Sequence, residues 1–317
     1  MAAVMDDPDV RSHTPVLYQE VLAALEPRAG ARYIDGTVGA AGHAQSVLEA
    51  SHPDGELLGL DRDPAAIALA RRNLKPFGKR AILRQASFAE MIDRVAAVRW
   101  KGVQGVLLDL GLSSMQLGDA QRGFSFMKDG PLDMRFDPSQ PVSAADLVNG
   151  LPERELADLL ARYGEERQAR KVAAAIIAAR PLWTTVELAQ VVASVVKRTR
   201  SGIHPATLTF QALRIAVNDE LHTLEIGLEQ AVSLLASGGR LAVIAFHSLE
   251  DRVVKHFLRQ ESKDCICPPE RPMCTCGHKA MLRLLTQRPI RPQEAEIQAN
   301  PRARSARLRV AERLDVA

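Results

Sequence analysis

The chain has 317 residues, 46% of them hydrophobic, and its 41 Lys+Arg against 38 Asp+Glu leave a formal net charge of +3. That length supplies a large core and predicts two domains. No apolar run is long enough to span a bilayer and the polar stretch Met1 to Ser12 is no signal peptide, so a membrane partner is excluded and a cytoplasmic location expected. The mild basic excess suits an RNA partner without requiring one.

In chain order, His13-Thr14-Pro15-Val16-Leu17 precedes an amphipathic helix from Glu20 to Leu25. Tyr33-Ile34 then reads as the end of a buried strand, and Asp35 opens a turn. Gly36, Gly39 and Gly42 follow, after which Ala44, Val47 and Leu48 restore helical spacing. Strand, glycine loop and helix in this order bring backbone N–H groups and a positive dipole end to one point. An ordinary small-residue turn gives the same pattern. The second strand, Leu57-Leu58-Gly59-Leu60, ends in Asp61 about eighteen residues past the loop, where a ribose-binding carboxylate belongs. Two parallel strands ending in loop and acid define the crevice where such sheets bind nucleosides.

A third strand (Ala81 to Arg84) leads to Ser87 and Phe88, an aromatic placed either to stack on adenine or to fill the core. A fourth strand, Gln104 to Leu110, again carries an acid at its end, Asp109, and runs into Gly111-Leu112-Ser113-Ser114. From about Asp119 the strand–helix rhythm stops. Loops rich in Met, Phe and Arg precede helices expected near Ser143, over Glu153 to Tyr163, over Glu165 to Ala179 and from Thr184 or Thr185 to Val196. Lys197-Arg198-Thr199-Arg200 is either a phosphate-binding loop or a solvated charge cluster. Helices over Thr207 to Asn218 and Glu220 to Leu235 follow, the second closed by Gly238-Gly239. A fifth strand, Arg240 to Phe246, ends at His247-Ser248-Leu249-Glu250-Asp251-Arg252, and further strands are expected at Leu282 to Thr286 and Ala306 to Ala311. The expected fold is therefore α/β, its sheet interrupted by about a hundred mostly helical residues: 1–118 and 223–317 build the sheet domain, and 119–222 the insertion.

These residues resemble the RsmH (MraW) family of S-adenosylmethionine-dependent 16S ribosomal RNA cytosine-N4 methyltransferases over nearly the whole chain. The resemblance rests on Ile34-Asp35-Gly36-Thr37 with Gly42-His43, Leu60-Asp61-Arg62-Asp63-Pro64, Leu108-Asp109-Leu110-Gly111 with Ser113-Ser114, and Arg122-Gly123-Phe124-Ser125-Phe126. It continues through Gly130-Pro131-Leu132-Asp133-Met134-Arg135, Tyr163-Gly164-Glu165-Glu166-Arg167, His204-Pro205-Ala206-Thr207, the His247 to Arg252 stretch and Asn300 to Ser305. It implies a Rossmann-like class I methyltransferase sheet with a helical substrate-recognition insertion, S-adenosyl-L-methionine as cofactor, and 16S rRNA in the small ribosomal subunit as partner, with no DNA. The family's cofactor-contacting positions fall on Ala41, Gly42, His43, Asp61, Phe88, Asp109 and Gln116. Ala41 stands where the family usually has Gly, and Val38 where it often has Phe.

Methyl transfer to an exocyclic amine needs proximity, orientation and acceptors for the amine protons, but no metal. Ser113, Ser114 and His247 are the candidates for holding the base; helix capping by the serines and a core role for His247 compete. Phe124, Phe126, Met127, Met134 and Arg135 suit stacking on an extruded base, or form a plain core. Cys265, Cys267, Cys274 and Cys276 form a compact quartet whose Cys-x-Cys spacing fits either zinc or a reduced surface loop. Two other readings share the fold: a nicotinamide-dependent oxidoreductase, for which no hydride-site signature appears, and an RNA-binding module without catalysis.

Overall fold

The computed structural model describes residues 15–197, 204–268 and 273–315. His13, Thr14, Arg198 and Arg200, singled out above, lie outside the described residues. The chain divides into two compact units, residues up to Gly111 with those from Leu224 onward, and Leu112–Thr223.

The first unit opens with α1 (Tyr18–Leu25) and then alternates β1 (Arg32–Asp35), α2 (Gly42–Ala50), β2 (Glu56–Asp61), α3 (Pro64–Asn73), β3 (Ala81–Gln85), α4 (Met91–Ala97) and β4 (Val103–Asp109). The apolar runs Leu57-Leu58 and Val106-Leu107-Leu108 suit strands covered on both faces. Successive side chains do go to opposite cores. Ile34, Leu58, Leu60, Val106 and Leu108 enter one, and Tyr33, Leu57, Leu83 and Leu107 the other. Helix starts follow local chemistry: the Asp63 carboxylate accepts from Ala65 N at 2.9 Å, and Pro64 fills the first turn of α3.

The second unit contains α5 (Ser114–Gly118), α6 (Ala144–Gly150), α7 (Glu153–Gly164), α8 (Ala169–Ala179), α9 (Thr185–Val195), α10 (Thr207–Asn218) and the opening of α11 (Glu220–Leu234). It starts at Leu112, ahead of the change of rhythm at Asp119. Glu165 does not open a helix as expected. It takes the left-handed conformation (φ 52°) that caps α7, and α8 begins four residues later. The loop after α5 folds back tightly at Gly123 (φ +70°), where a Cβ would lie 2.2 Å from the Pro131 carbonyl oxygen. Arg122 Nη2 donates to the Arg135 and Phe136 carbonyls at 2.9 Å. Buried Asn218 staples the same loop, donating to Met134 O at 2.7 Å and accepting from Phe136 N at 2.8 Å.

This folding-back changes the reading of the stacking candidates. Phe124 and Met134 are buried in the helical core, and Phe124 stacks on Phe136. Phe126 packs on His204 and edge-on to Phe210. Arg135 is spent on a two-pronged pair with Asp133. Of the five, Met127 alone stands exposed, at 83%.

The first unit resumes with β5 (Leu235–Ala245), α12 (Ser248–Glu261), β6 (Leu282–Leu284), α13 (Glu294–Ala299) and β7 (Arg307–Arg313). Gly238-Gly239 sits inside β5 rather than closing α11. The β4–β5 register jumps from Val103↔Leu235 to Gly105↔Arg240, and the glycines absorb the extra residues as a bulge. The sheet order is β3-β2-β1-β4-β5-β7-β6, with β1 to β5 parallel and β7 antiparallel to both neighbours. Arg307 and Arg309 of β7 both reach Asp251 of α12, at 3.0 and 2.7 Å, fixing the helix that follows the fifth strand. Among the described residues no helix is long and apolar enough to cross a membrane.

Candidate active site

The glycine loop is pinned from both sides because β1 lies between β2 and β4. Gly36 N donates to Leu107 O of β4 and Val38 N to Leu60 O of β2, at 2.9 and 2.8 Å. A Cβ on Gly36 would fall 2.6 Å from Leu108 Cδ2 and 2.9 Å from Phe88 Cβ, so only glycine passes there. Ala41 takes φ 70° and ψ 25°, the left-handed region that a Cβ disfavours. Among the described residues no side chain caps α2, and a helix N-terminus of this kind suits an anion.

Three strand ends bring carboxylates to this loop. Asp61 accepts from Gly39 N through Oδ2 and from Asp63 N through Oδ1, both at 2.9 Å. These two bonds fix the plane of the carboxylate at the end of β2. Asp35 is buried and accepts from Thr37 N at 3.1 Å. Burial pushes Asp35 up to about 7, the Thr37 N–H partly offsetting this and the Asp61 charge adding to it. Thr37 Oγ1 in turn accepts from Asp109 N at 2.7 Å, tying the ends of β1 and β4 together. Burial pushes Asp109 up to about 8, with Asp35 and Glu250 adding like-charge repulsion.

His43, in the first turn of α2, is buried, and burial holds it down at about 4, so it is neutral at pH 7. Its Nε2 lies 3.8 Å from Asp109 Oδ2, too far for a hydrogen bond. Among the described residues, Asp109 Oδ1 and the His43 ring nitrogens lack a hydrogen-bond partner of good geometry, and the Val16 backbone is what approaches the His43 ring. Unsatisfied buried polar atoms cost 1–3 kcal/mol each, by a rough general figure. Three of them converging on one strand end mark a place that a polar ligand completes. At pH 7 Asp109 is mostly protonated and Asp35 about half so when no cation is present, and a cation would draw those protons off.

Phe88 opens a single helical turn capped by Ser87. Its ring lies against Gly227 of α11, where a Cβ would come within 2.4 Å of Cδ2. One side of the ring is thus committed to packing, and the residue is half-buried.

Ser113 and Gln116 belong to the other unit and are paired with each other. Ser113 Oγ accepts from Gln116 N at 3.2 Å, and Ser113 N donates to Gln116 Oε1 at 3.1 Å, a capping box on α5. His247 caps α12 in the same way: its Nδ1 accepts from Glu250 N at 3.3 Å, and Glu250 Oε2 accepts from His247 N and Phe246 N. With Nδ1 committed as acceptor, the neutral ring carries its proton on Nε2, 3.0 Å from Glu250 Oε1. As built, His247 offers a ring N–H and not the acceptor that an amine proton needs. Asp35 and Glu250 join the candidate residues through their charge coupling to Asp109. Asp35 carried the same strand-end signal as Asp61 and Asp109. Glu250 was marked by its spacing of three from His247.

The model of the MraW methylase family matches residues 10–314. The chain belongs to the MraW methylase family. The ribosomal RNA small subunit methyltransferase H of Thermomicrobium roseum is 52% identical over 313 residues, 98% of this chain and 96% of its own length. The protein of that name from Geobacter sulfurreducens is 53% identical over 308 residues, 96% of this chain and 99% of its own. A solved rRNA methylase from Streptococcus thermophilus superposes with a TM-score of 0.43 at 11% identity, covering 99% of this chain and all of that one. The family assignment rests on the sequence matches. As a MraW methylase the chain is a methyltransferase with a class I, Rossmann-like sheet, and its cofactor is S-adenosylmethionine. The site's chemistry fits that cofactor: a helix N-terminus suits a carboxylate, an oriented carboxylate suits hydroxyl donors, and polar atoms among buried acids suit a cationic group.

Proposed function

We propose that this MraW methylase transfers the methyl group of S-adenosylmethionine to the N4 amino group of one cytidine in 16S rRNA of the small ribosomal subunit. The observation that carries the reading is the convergence of His43 and Asp109, with unsatisfied polar atoms, on a strand end beside Asp35, Asp61 and the mouth of α2. The rRNA substrate is supported by relatives named ribosomal RNA small subunit methyltransferase H that match over nearly their full length.

Each residue takes the part of the cofactor that its chemistry suits. The N–H groups of Gly42, His43 and Ala44 receive the methionine carboxylate. Asp109 and neutral His43 receive the ammonium. Asp61 accepts both ribose hydroxyls, and Phe88 offers its uncommitted ring edge and face to the adenine. When bound, the cofactor supplies an electrophilic methyl on a positively charged sulfur. In the reaction the N4–methyl bond forms, the methyl–sulfur bond breaks and N4 gives up one proton. The N4 lone pair is delocalised into the ring, so acceptors at its N–H bonds raise its nucleophilicity. Ser113 Oγ keeps a second lone pair for this after capping α5; His247 Nε2–H suits a ring acceptor of the base better than its amine. Residues 112–223 serve as the substrate-recognition unit, with exposed Lys197 at the start of its basic stretch.

The test is to offer purified enzyme and methyl-labelled cofactor to naked 16S rRNA, intact small subunits and free cytidine. Label at N4 of one cytosine, in subunits or rRNA and not in free cytidine, supports the reading. Label at a ring carbon or a ribose oxygen, or equal labelling of free cytidine, overturns it.

A further inference from the structure

Methyl transfer leaves four cysteines without a role. Between α12 and β6 the described stretches 262–268 and 273–281 form an excursion that carries Cys265, Cys267, Cys274 and Cys276. Their four Sγ atoms all lie within 4.8 Å of one another, with Cys274 to Cys276 at 3.5 Å and Cys265 to Cys276 at 3.9 Å. None is in a disulfide; three are exposed and Cys267 is half-buried. Hydrophobic burial, the usual reason for thiols to gather, is therefore not what gathers these. We propose that Cys265, Cys267, Cys274 and Cys276 form a tetrathiolate site for a single zinc-class divalent ion that ties this excursion into a fixed knuckle.

The spacing carries the argument. An ion holding four thiolates tetrahedrally at about 2.3 Å sets them about 3.8 Å apart. The sulfur separations bracket that value and stay under the bound for all pairs. An iron–sulfur cube binds each thiolate on a different iron and holds them farther apart. The backbone repeats the same message with approximate two-fold symmetry. Ile266 N, in the middle of the first Cys-x-Cys, donates to Cys276 Sγ at 3.5 Å, and Thr275 N, in the middle of the second, donates to Cys267 Sγ at 3.4 Å. Such bonds stabilise sulfur that carries negative charge. His278 is not a ligand; its Nε2 pairs with Gln260 O of α12 at 3.2 Å. The base of the excursion is closed by Met281 N to Glu261 O and Ala280 N to Asp264 Oδ1, at 2.8 and 3.2 Å. Soft thiolates select zinc over magnesium or calcium. Exposed Ile266 and Met273 show that the excursion has little core of its own, the situation in which a metal supplies the folding energy.

The full-length protein, purified in reductant, is analysed for metals and then reconstituted with cobalt(II) in place of zinc. The expected result is one zinc per chain and, with cobalt, the intense visible bands and sulfur charge-transfer absorption of a tetrahedral tetrathiolate. Substituting Cys265→Ser with Cys267→Ser, or Cys274→Ser with Cys276→Ser, abolishes the signal while S-adenosylmethionine affinity persists, showing that the rest of the chain is folded. Removing zinc from the native protein exposes the chain around Cys265–Cys267 and Cys274–Cys276 to protease. Failure of the reduced native protein to take up either ion, six-coordinate cobalt spectra, or undiminished metal in both double variants would overturn the proposal.

Discussion

If Asp109 receives the cationic end of the cofactor, as proposed above, cofactor binding depends on pH. The Asp109 carboxyl is pushed up to about 8, first by burial and then by Asp35 and Glu250, so about nine in ten sites hold the proton at pH 7. If the cationic end of S-adenosylmethionine binds the ionised form, each pH unit below 8 weakens binding about tenfold, or ~1.4 kcal/mol. Between pH 9 and pH 6 the loss is about a hundredfold, and at pH 7 binding releases about 0.9 proton from this group. Asp35, pushed up to about 7, steepens the slope further as it ionises. Titration calorimetry in buffers of different ionisation enthalpy reads both the affinity and the proton count. In Asp109→Asn the affinity should resemble that of the protonated site and lose most of its pH slope. The linkage to stability has the opposite sign. A carboxyl whose folded pKa is raised contributes stability that is full below about pH 4 and is lost as pH rises through about 8. Without cofactor the wild-type Tm should therefore fall from pH 5 to pH 9, and Asp109→Asn should flatten that fall. Equal affinity at pH 6 and pH 9, or an unchanged slope in Asp109→Asn, would refute the assignment.

Asp61→Ala should weaken S-adenosylmethionine binding by about 1.5–3 kcal/mol, the scale of hydrogen bonds to a charged group; unchanged affinity in a folded variant removes Asp61 from the ribose. Ala41→Gly relieves a left-handed residue costing roughly 1–2 kcal/mol at the expense of about 0.5–1 kcal/mol of glycine entropy, so thermal unfolding should show a net gain of about 0.5–1 kcal/mol. A loss there would mean that the Ala41 Cβ, buried in the core, is worth more than the strain. Neutralising Lys197, Arg198 and Arg200 together should flatten the salt dependence of RNA binding, lowering the slope of log K against log salt by about 2–3 if all three meet phosphates. Cofactor affinity should not change. An unaltered salt slope returns the stretch to a solvated charge cluster.

Sequence pattern revealed the parallel strands because burial on both faces writes near-continuous apolar runs such as Leu57-Leu58 and Val106-Leu107-Leu108. It also revealed Asp61 and Asp109, since an acid directly after such a run can sit only at the strand's end. What it did not reveal was set by tertiary pairing. Phe124 and Met134 look like stacking residues in a loop sequence, and only the fold-back at Gly123 and the staple from distant Asn218 show that the loop has its own core. The glycines 238 and 239 look like a helix terminus, and only the β4–β5 register makes them a bulge. Ser113 and His247 illustrate a different limit: an N-cap and a substrate-holding group use the same polar atoms, and spacing to Gln116 and Glu250 signals the cap but not the second role. The raised pKa of Asp109 was invisible because it depends on Asp35 and Glu250, acids brought to it from two other segments.

The central claim is tested most directly in the cell. 16S rRNA is isolated from a strain lacking this gene and from the same strain with the gene returned, digested to nucleosides and mapped fragments, and read by mass spectrometry. One cytidine should lose its N4-methyl group in the deletion and regain it with the wild-type gene, but not with Asp61→Ala. An unmodified N4 in the parent, or a methyl group that persists at that position in the deletion, would contradict the claim.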